Sequence, residues 1–395
     1  MTTLELTNNQ RQYFGLDPIE KHWDKVAFNG DTYRTESILY FDKDVIKRHI
    51  VSTEIEYSEK QYNEQTKDRK ILLPKTGKGK EKKLTASVLE QRQPEGIYLS
   101  INCGNLKIGN YNSQTTFYSN RWDNEEQSKK SNFEIIEDFI QKSPDNYLVE
   151  ITKYKSSKRQ NIKFKSGDYF CFKLDRINFG FGRLLLDVNK IRKKKLIDGH
   201  HGLGLLMGPP VIIELFAFKS PTKTIDISTL DKQNKLPADV MMDNLLLYGE
   251  FEIIGHKEIQ DDKFEFPISY GRSIDQRNIV FLQWGLIHKE LSREVYNKYI
   301  FTDETQVGQN PYGYYSIGFR PSYDCIEIIK AINNKGVFDF GNTTHYRAKW
   351  DLRNPKNIEI KNELFKVFGL DPNKSYYENT KLTGTILPSK INKQL

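Results

Sequence analysis

The sequence predicts an α+β protein of two domains, built on antiparallel, strongly bent sheets with a few peripheral helices. Three observations carry this prediction. The chain has 395 residues, more than one hydrophobic core comfortably serves. Only 37% of residues are hydrophobic, but 12% are aromatic, a balance that suits thin, sheet-based cores filled by Phe and Tyr. Short apolar runs alternate with polar residues and are punctuated by Gly and Asn, the pattern of strands joined by turns.

Taken in order, TNNQRQYF (7–14) reads as a short helix capped by Thr7 or Asn8, with Gly15 in the left-handed position that ends it. Leu16 supplies the apolar contact of that cap, and Asp17-Pro18 stops the chain continuing. Phe368-Gly369-Leu370-Asp371-Pro372 repeats Phe14–Pro18 letter for letter. An aromatic follows at the same offset, Trp23 and Tyr377, so each domain is expected to carry one copy of this helix end.

Glu36–Phe41 and His49–Tyr57 read as strands. Residues 71–83 read as a strand end and a solvated basic loop, since GKGKEKK lacks the spacing of a phosphate-cradling loop. Residues 84–91 suit a short helix, and residues 96–122 suit strands broken by Gly-Asn turns. Residues 132–141 form an amphipathic helix, and residues 146–154 read as a strand. Residues 156–162 are polar and aperiodic, and are taken as a linker between a β-rich domain at 1–155 and an α+β domain at 163–379. Within the latter, RKKK (192–195) and DGHHGLGLLMGPP (198–210) form a Gly-rich lobe. A short helix is expected around Ala238–Asn244, and a buried strand over 278–291. Pro321 opens a helix over 322–333 that Gly336 stops, and 357–368 is the last helix. Residues 380–395 read as a polar tail.

The clearest single element is Lys163–Val188, KFKSGDYFCFKLDRINFGFGRLLLDV. Asp168–Leu174 and Phe179–Leu186 flank Asp175–Asn178, whose Asp and Asn side chains favour a turn. This is a β-hairpin. Phe170, Phe172 and Leu174 share one face of the first strand. Gly180 and Gly182 fall two residues apart in the second, leaving a strip without side chains that invites another group to approach closely. Aromatics packing over that strip, or a ligand groove, both satisfy the pattern.

The series GDYFCF, GFGRLL, VIIELFAF (211–218) and YGEFEIIGHKEI (248–259) resembles the immunity protein 26 family of bacterial polymorphic toxin systems. The likeness lies in a Gly-Asp strand, a Gly-aromatic-Gly-Arg strand and a later strand ending in an Ile-Gly step. Family members carry Trp in that last strand, where this chain has Phe251. The resemblance covers roughly residues 163–290. It implies a toxin-neutralising binding protein without catalysis, and it identifies no contact residues.

Composition narrows the alternatives. Lys and Arg exceed Asp and Glu by 60 to 52, a mild net charge of +8 that falls short of a dedicated nucleic-acid binder. The Lys153–Lys165 stretch interleaves charge and aromatics but matches no RNA or DNA module. Cys103, Cys171 and Cys325 are widely spaced, with no C-x-x-C pair. The N-terminus lacks a basic region followed by an apolar core, and no run is long enough to cross a membrane. A soluble cytoplasmic protein is expected.

His200-His201 lies beside flexible glycines, where imidazoles make natural ligands or bases. Adjacent residues on an extended segment point to opposite sides, however, and no H-x-x-x-H spacing accompanies them, so an exposed loop is the plainer reading. No G-x-S-x-G elbow appears, Cys171 and Cys325 read as core, and Asp261-Asp262 sits in a polar loop. The expectation is therefore no enzyme, no cofactor and no metal. The main reading is an immunity protein that binds a cognate toxin domain; the alternative is a nucleic-acid-associated or phage-defence module acting through basic loops. Candidate partner contacts are Asp175, Arg176, Arg183, His200, His201 and Trp284. Gly167, Asp168, Phe170, Gly180 and Gly182 are taken as structural residues of the hairpin. Nucleic acid is disfavoured as a partner, no membrane is expected, and oligomeric state is left open.

Overall fold

The computed structural model describes residues 4–73, 78–120, 130–273, 275–300, 325–341, 343 and 348–395. It is α+β, with antiparallel sheets, peripheral helices and no closed barrel. The chain divides into two compact units. The first holds residues up to Asn161 together with Asp175–Ile177 and Tyr248–Glu250, and the second holds Ile162–Leu174, Asn178–Leu247 and Phe251–Leu395.

Unit 1 opens with α1 (Asn8–Tyr13), capped by the Thr7 hydroxyl. Its end is a left-handed turn: Gly15 has φ +69°, and the Leu16 N–H donates to Arg11 O at 3.1 Å. A nine-stranded sheet follows, with the order β1 (Asp24–Phe28), β2 (Ser37–Asp42), β3 (Val45–Ser52), β4 (Glu56–Lys67), β7 (Glu95–Asn102), β8 (Asn105–Asn110) and β9 (Thr115–Ser119). The short β5 (Ile71–Leu72) pairs with β4, and β6 (Lys82–Lys83) pairs with β5, so the basic loop closes a hairpin; its residues 74–77 lie outside the described residues. Register shifts in β2, β3, β4 and β8 mark bulges, which bend the sheet. Helix α2 (Ala86–Glu90) covers a small apolar cluster with Leu39, Phe41, Ile46 and Tyr62. The larger cluster joins strand residues such as Tyr57, Leu99 and Ile108 to α3 (Asn132–Gln141) and α4 (Tyr147–Lys155). Ser131 and Glu134 form a reciprocal capping box at the start of α3. Buried Glu59 is held at 3.1 Å by Arg11 and at 3.6 Å by Arg48, and it accepts from Tyr57.

Two readings of unit 1 need correction. Residues 146–154 form helix, not strand. NYLVEITKY satisfies both periods, and the helix wins because Tyr147 and Ile151, four apart, both reach the core. Residues 49–57 are two strands, separated by a turn in which Thr53 Oγ1 accepts from the Glu56 N–H at 3.0 Å.

Unit 2 contains a five-stranded sheet, β13-β12-β11-β10-β14, and the meander β15-β16-β17. The expected hairpin is β10 (Asp168–Lys173) with β11 (Phe179–Leu186), closed by the Leu174 N–H donating to Asn178 O. Helix α5 (Val188–Lys193), the Gly-rich lobe, β12 (Pro210–Ser220), α6 (Ile227–Leu230), β13 (Asp239–Met242), α7 (Asn244–Leu247) and β14 (Glu252–His256) follow. Ala238–Asn244 is thus largely strand rather than helix, because Val211 and Ile212 offer ladder partners to Met241 and Val240. After β15 (Ile268–Arg272), residues 278–291 form a hairpin, β16 (Ile279–Trp284) and β17 (Ile287–Ser292), rather than one strand. Gly285, at φ +57°, turns the chain.

Helix α8 (Cys325–Asn333) lies against β12. Its expected start at Pro321 and the Cys325 side chain lie outside the described residues, as do Trp122 and His345. Helix α9 (Ile358–Val367) ends as α1 does: Gly369 has φ +75° and the Leu370 N–H donates to Phe365 O at 2.7 Å. It is not the last helix. Residues 380–395 are no free tail: α10 (Tyr376–Thr383) and α11 (Pro388–Asn392) bury Thr380 and Ile391. The small apolar fraction of 380–395 conceals this, because buried Pro388 and Ile391, with Ser389 donating twice to Asp261, are enough to dock a five-residue helix.

Candidate functional site

The hairpin of unit 2 shows what each short motif does. Gly167 has φ +94°, and a Cβ there would lie 2.5 Å from Lys257 O, so only glycine fits. Its N–H donates to Leu184 O at 2.8 Å while its carbonyl accepts from Lys257 N at 3.1 Å, tying the foot of the hairpin to its neighbours. Asp168 accepts from the Lys165 N–H at 2.8 Å with one oxygen and contacts His256 Nδ1 at 2.7 Å with the other. The Gly-Asp pair is a backbone junction.

The glycine strip is filled by rings. Across the ladder Phe170 faces Gly182 and Phe172 faces Gly180. Cβ atoms on the two glycines would fall 2.4 Å and 2.7 Å from those rings. Phe251 completes the cluster, with its ring centroid 5.4 Å from Phe170 and 5.0 Å from Phe172. In the Ile-Gly step, Gly255 lies under Ile227, whose Cδ1 would be 2.3 Å from a Cβ.

On the opposite face, Arg183 lies beside Tyr169 and Glu214 in neighbouring strands. Its guanidinium sits 4.7 Å from the Tyr169 ring centroid and donates to Lys257 O at 2.6 Å. Tyr169 and Lys257 both bond Asp231. Burial alone would raise the Asp231 carboxyl, but those two hydrogen bonds hold it below its ordinary value. Burial raises Glu214 against the pull of Lys235, 2.7 Å away. Arg183 therefore serves an internal polar network.

The remaining candidates are not gathered into one site. Asp175 and Arg176 belong to unit 1. Asp175 accepts from the Ile177 N–H at 2.8 Å, and Arg176 donates to Phe139 O at 2.6 Å with its guanidinium 4.0 Å from the Phe139 ring centroid. Trp284, 6% exposed, packs against Phe365 and Tyr376. The two adjacent histidines lie in a turn, where the His201 N–H donates to Asp198 O at 3.2 Å, rather than on an extended segment, and they meet different surroundings. His200 is exposed and meets Asp275 at 2.6 Å, a hydrogen bond that raises its pKa. His201, read as an exposed loop residue, is instead buried: its Nδ1 accepts from Leu203 N and its Nε2 contacts Leu286 O, both at 3.2 Å. Burial, reinforced by His288, pushes it down to about 4. Both nitrogens are thus committed to backbone.

Burial pushes the Cys171 thiol up to about 12, which keeps it protonated and unreactive at neutral pH. Among the described residues, no cluster of three or more His, Cys, Asp or Glu is placed to hold a metal ion. Likewise no helix is long and apolar enough to cross a membrane.

One feature had no signal in the sequence reading beyond its glycines. The lobe at 198–208 is pinned rather than slack. Arg192 Nη1, from α5, donates to both Leu206 O and Gly208 O at 2.9 Å. Met207, between those carbonyls, is 80% exposed.

Residues 165–297 match the family described as Immunity protein 26. That segment spans β10 to β17 of unit 2 and implies an immunity protein of a toxin system. No curated protein and no solved structure was found to match the chain.

Proposed function

We propose that this chain is a cytoplasmic immunity protein that neutralises a cognate bacterial toxin by binding it directly, without catalysis. The match of residues 165–297 to Immunity protein 26 carries this reading. Among the described residues, three side chains suited to chemistry support it, because each is already in use. The Cys171 thiol is held protonated, His201 is bonded to backbone on both sides, and Arg183 completes an internal network. What remains for a partner is surface. A stable interface of standard size needs about 1,600 Å² in total and a few well-placed anchors.

The test is co-expression of the full chain with the polypeptide encoded by the adjacent reading frame. Rescue of growth and a complex that survives purification are expected. Absence of both would overturn the proposal. Salt separates this reading from phosphate binding, which weakens steeply as salt rises, whereas an interface with an apolar centre tolerates it.

A further inference from the structure

In unit 2 the family motifs are consumed by packing: Gly167 by a carbonyl, Gly180 and Gly182 by rings, Gly255 by Ile227. The face that meets a partner therefore lies elsewhere, and the lobe at 198–208 has the properties such a face requires.

Among the described residues of unit 2, Met207 is the most exposed large apolar side chain. A single exposed apolar residue is ordinary on a loose loop. This loop is held at several points. Arg192 bridges the carbonyls on either side of Met207. The Gly204 N–H donates to His201 O at 2.6 Å, and the His201 ring is bonded to Leu203 N and Leu286 O. Underneath, Leu203 and Leu206 pack into the main core of the unit, leaving a gap of about 20 Å³ beside Ile212, Val240 and Phe281. A loop fixed in this way loses little conformational entropy when its tip is buried by a partner, which is the advantage of preorganisation.

The surroundings set the chemistry of the partner. The Met242 Cε and Sδ lie against Gly208, within 2.4 Å and 2.8 Å of where a Cβ would stand, so a second polarisable thioether packs beside the residue that follows Met207. Methionines fit irregular apolar pockets with little strain. Lys193, Lys194 and Lys195 are exposed immediately after Arg192, and the charge of Lys193 reaches Asp243, whose N–H donates to Pro209 O at 3.0 Å. Lys193 thus stands on the margin of the apolar tip.

We propose that residues 198–208 form the toxin-docking element, with Met207 as its apolar anchor and Lys193 and Lys195 as a basic rim. The complementary surface on the toxin is an apolar pocket edged by carboxylates. This inference rests on the immunity reading.

The experiment measures the affinity of the full chain for the polypeptide encoded by the adjacent reading frame, by calorimetry, across four proteins. Met207→Asp weakens binding by about tenfold or more, as expected for a buried anchor given a charge. The double variant Lys193→Glu with Lys195→Glu weakens binding and reduces its dependence on salt. Val295→Asp, altering another exposed apolar residue, leaves affinity unchanged. Melting temperatures of Met207→Asp and Val295→Asp match the wild type, since those two side chains face solvent. If the wild type binds and Met207→Asp binds equally well, the docking element is wrong and the immunity reading stands. Equal losses in Met207→Asp and Val295→Asp also overturn it. If the wild type does not bind, both proposals fall together.

Discussion

Phe170 and Gly182 face each other across β10 and β11, and the ring occupies the place a side chain would need: a Cβ on Gly182 would fall 2.4 Å from it. Phe170 is itself fully buried and stacked on Phe251, so it cannot swing aside. Valine at Gly182, or at Gly180 beneath Phe172, should lower stability by about 1–3 kcal/mol through overpacking. Chemical denaturation of the variants measures this. Wild-type stability combined with lost partner binding would instead make the strip a contact groove.

The duplicated helix ends make a matched pair for comparison. Gly15 and Gly369 both hold positive φ, so alanine at either costs about 1–2 kcal/mol of backbone strain. They differ in surroundings. A Cβ on Gly15 would lie 3.0 Å from the Ile151 Cγ1, whereas nothing lies within 4 Å of one on Gly369. Gly15→Ala should therefore destabilise more than Gly369→Ala. Equal losses in thermal denaturation would show that strain alone matters at both ends.

Two buried histidines contribute to the acid side of the stability profile. Burial lowers His49 and His201 to about 4, against an ordinary value of 6.5. The unfolded chain takes up protons from about pH 6.5 downward, and the folded chain resists until about pH 4. Each residue therefore removes stability as pH falls through that window, by up to about 3 kcal/mol, with no further loss below it. His201→Asn should flatten the profile between pH 6.5 and 4. The exposed His200–Asp275 pair acts with the opposite sign, since a raised histidine stabilises at low pH and the effect is lost as pH rises. An unchanged slope in His201→Asn would show that this site does not govern the window.

We expect residues 1–155 and 163–395 to fold as separate units joined by 156–162. Exposed Lys158 and Lys163 make that stretch a substrate for trypsin. Brief digestion should produce two resistant fragments with ends in this window. Resistance there, with cleavage confined to other places, would argue for one cooperative core.

Local chemistry written into the chain was legible wherever one residue type had one solution. Phe14–Pro18 and Phe368–Pro372 end their helices alike, because glycine meets the left-handed position and leucine the apolar contact. The hairpin at 168–186 was equally plain, since period-two aromatics and a polar turn admit no other structure. The family motifs were visible as letters, and the structure supplies their physical reason in the rings and carbonyls that crowd each glycine.

Where a segment satisfied two periods, only its neighbours decided. Residues 146–154 carry apolar residues at both strand and helix spacing, and the core of unit 1 accepts Tyr147 and Ile151 from a helix. Ala238–Asn244 became strand because β12 offered a ladder, and Ile391 docked a segment that composition marks as polar. The same holds for the candidate site. Sequence placed His200 and His201 side by side in one loop, but burial separates them into an exposed ion pair and a neutral internal strut. Met207 carried no signal of its own, because exposure and immobility are not properties of a residue. They arise from Arg192 reaching both carbonyls beside it, a contact between positions fourteen and sixteen residues apart that only the folded backbone brings together.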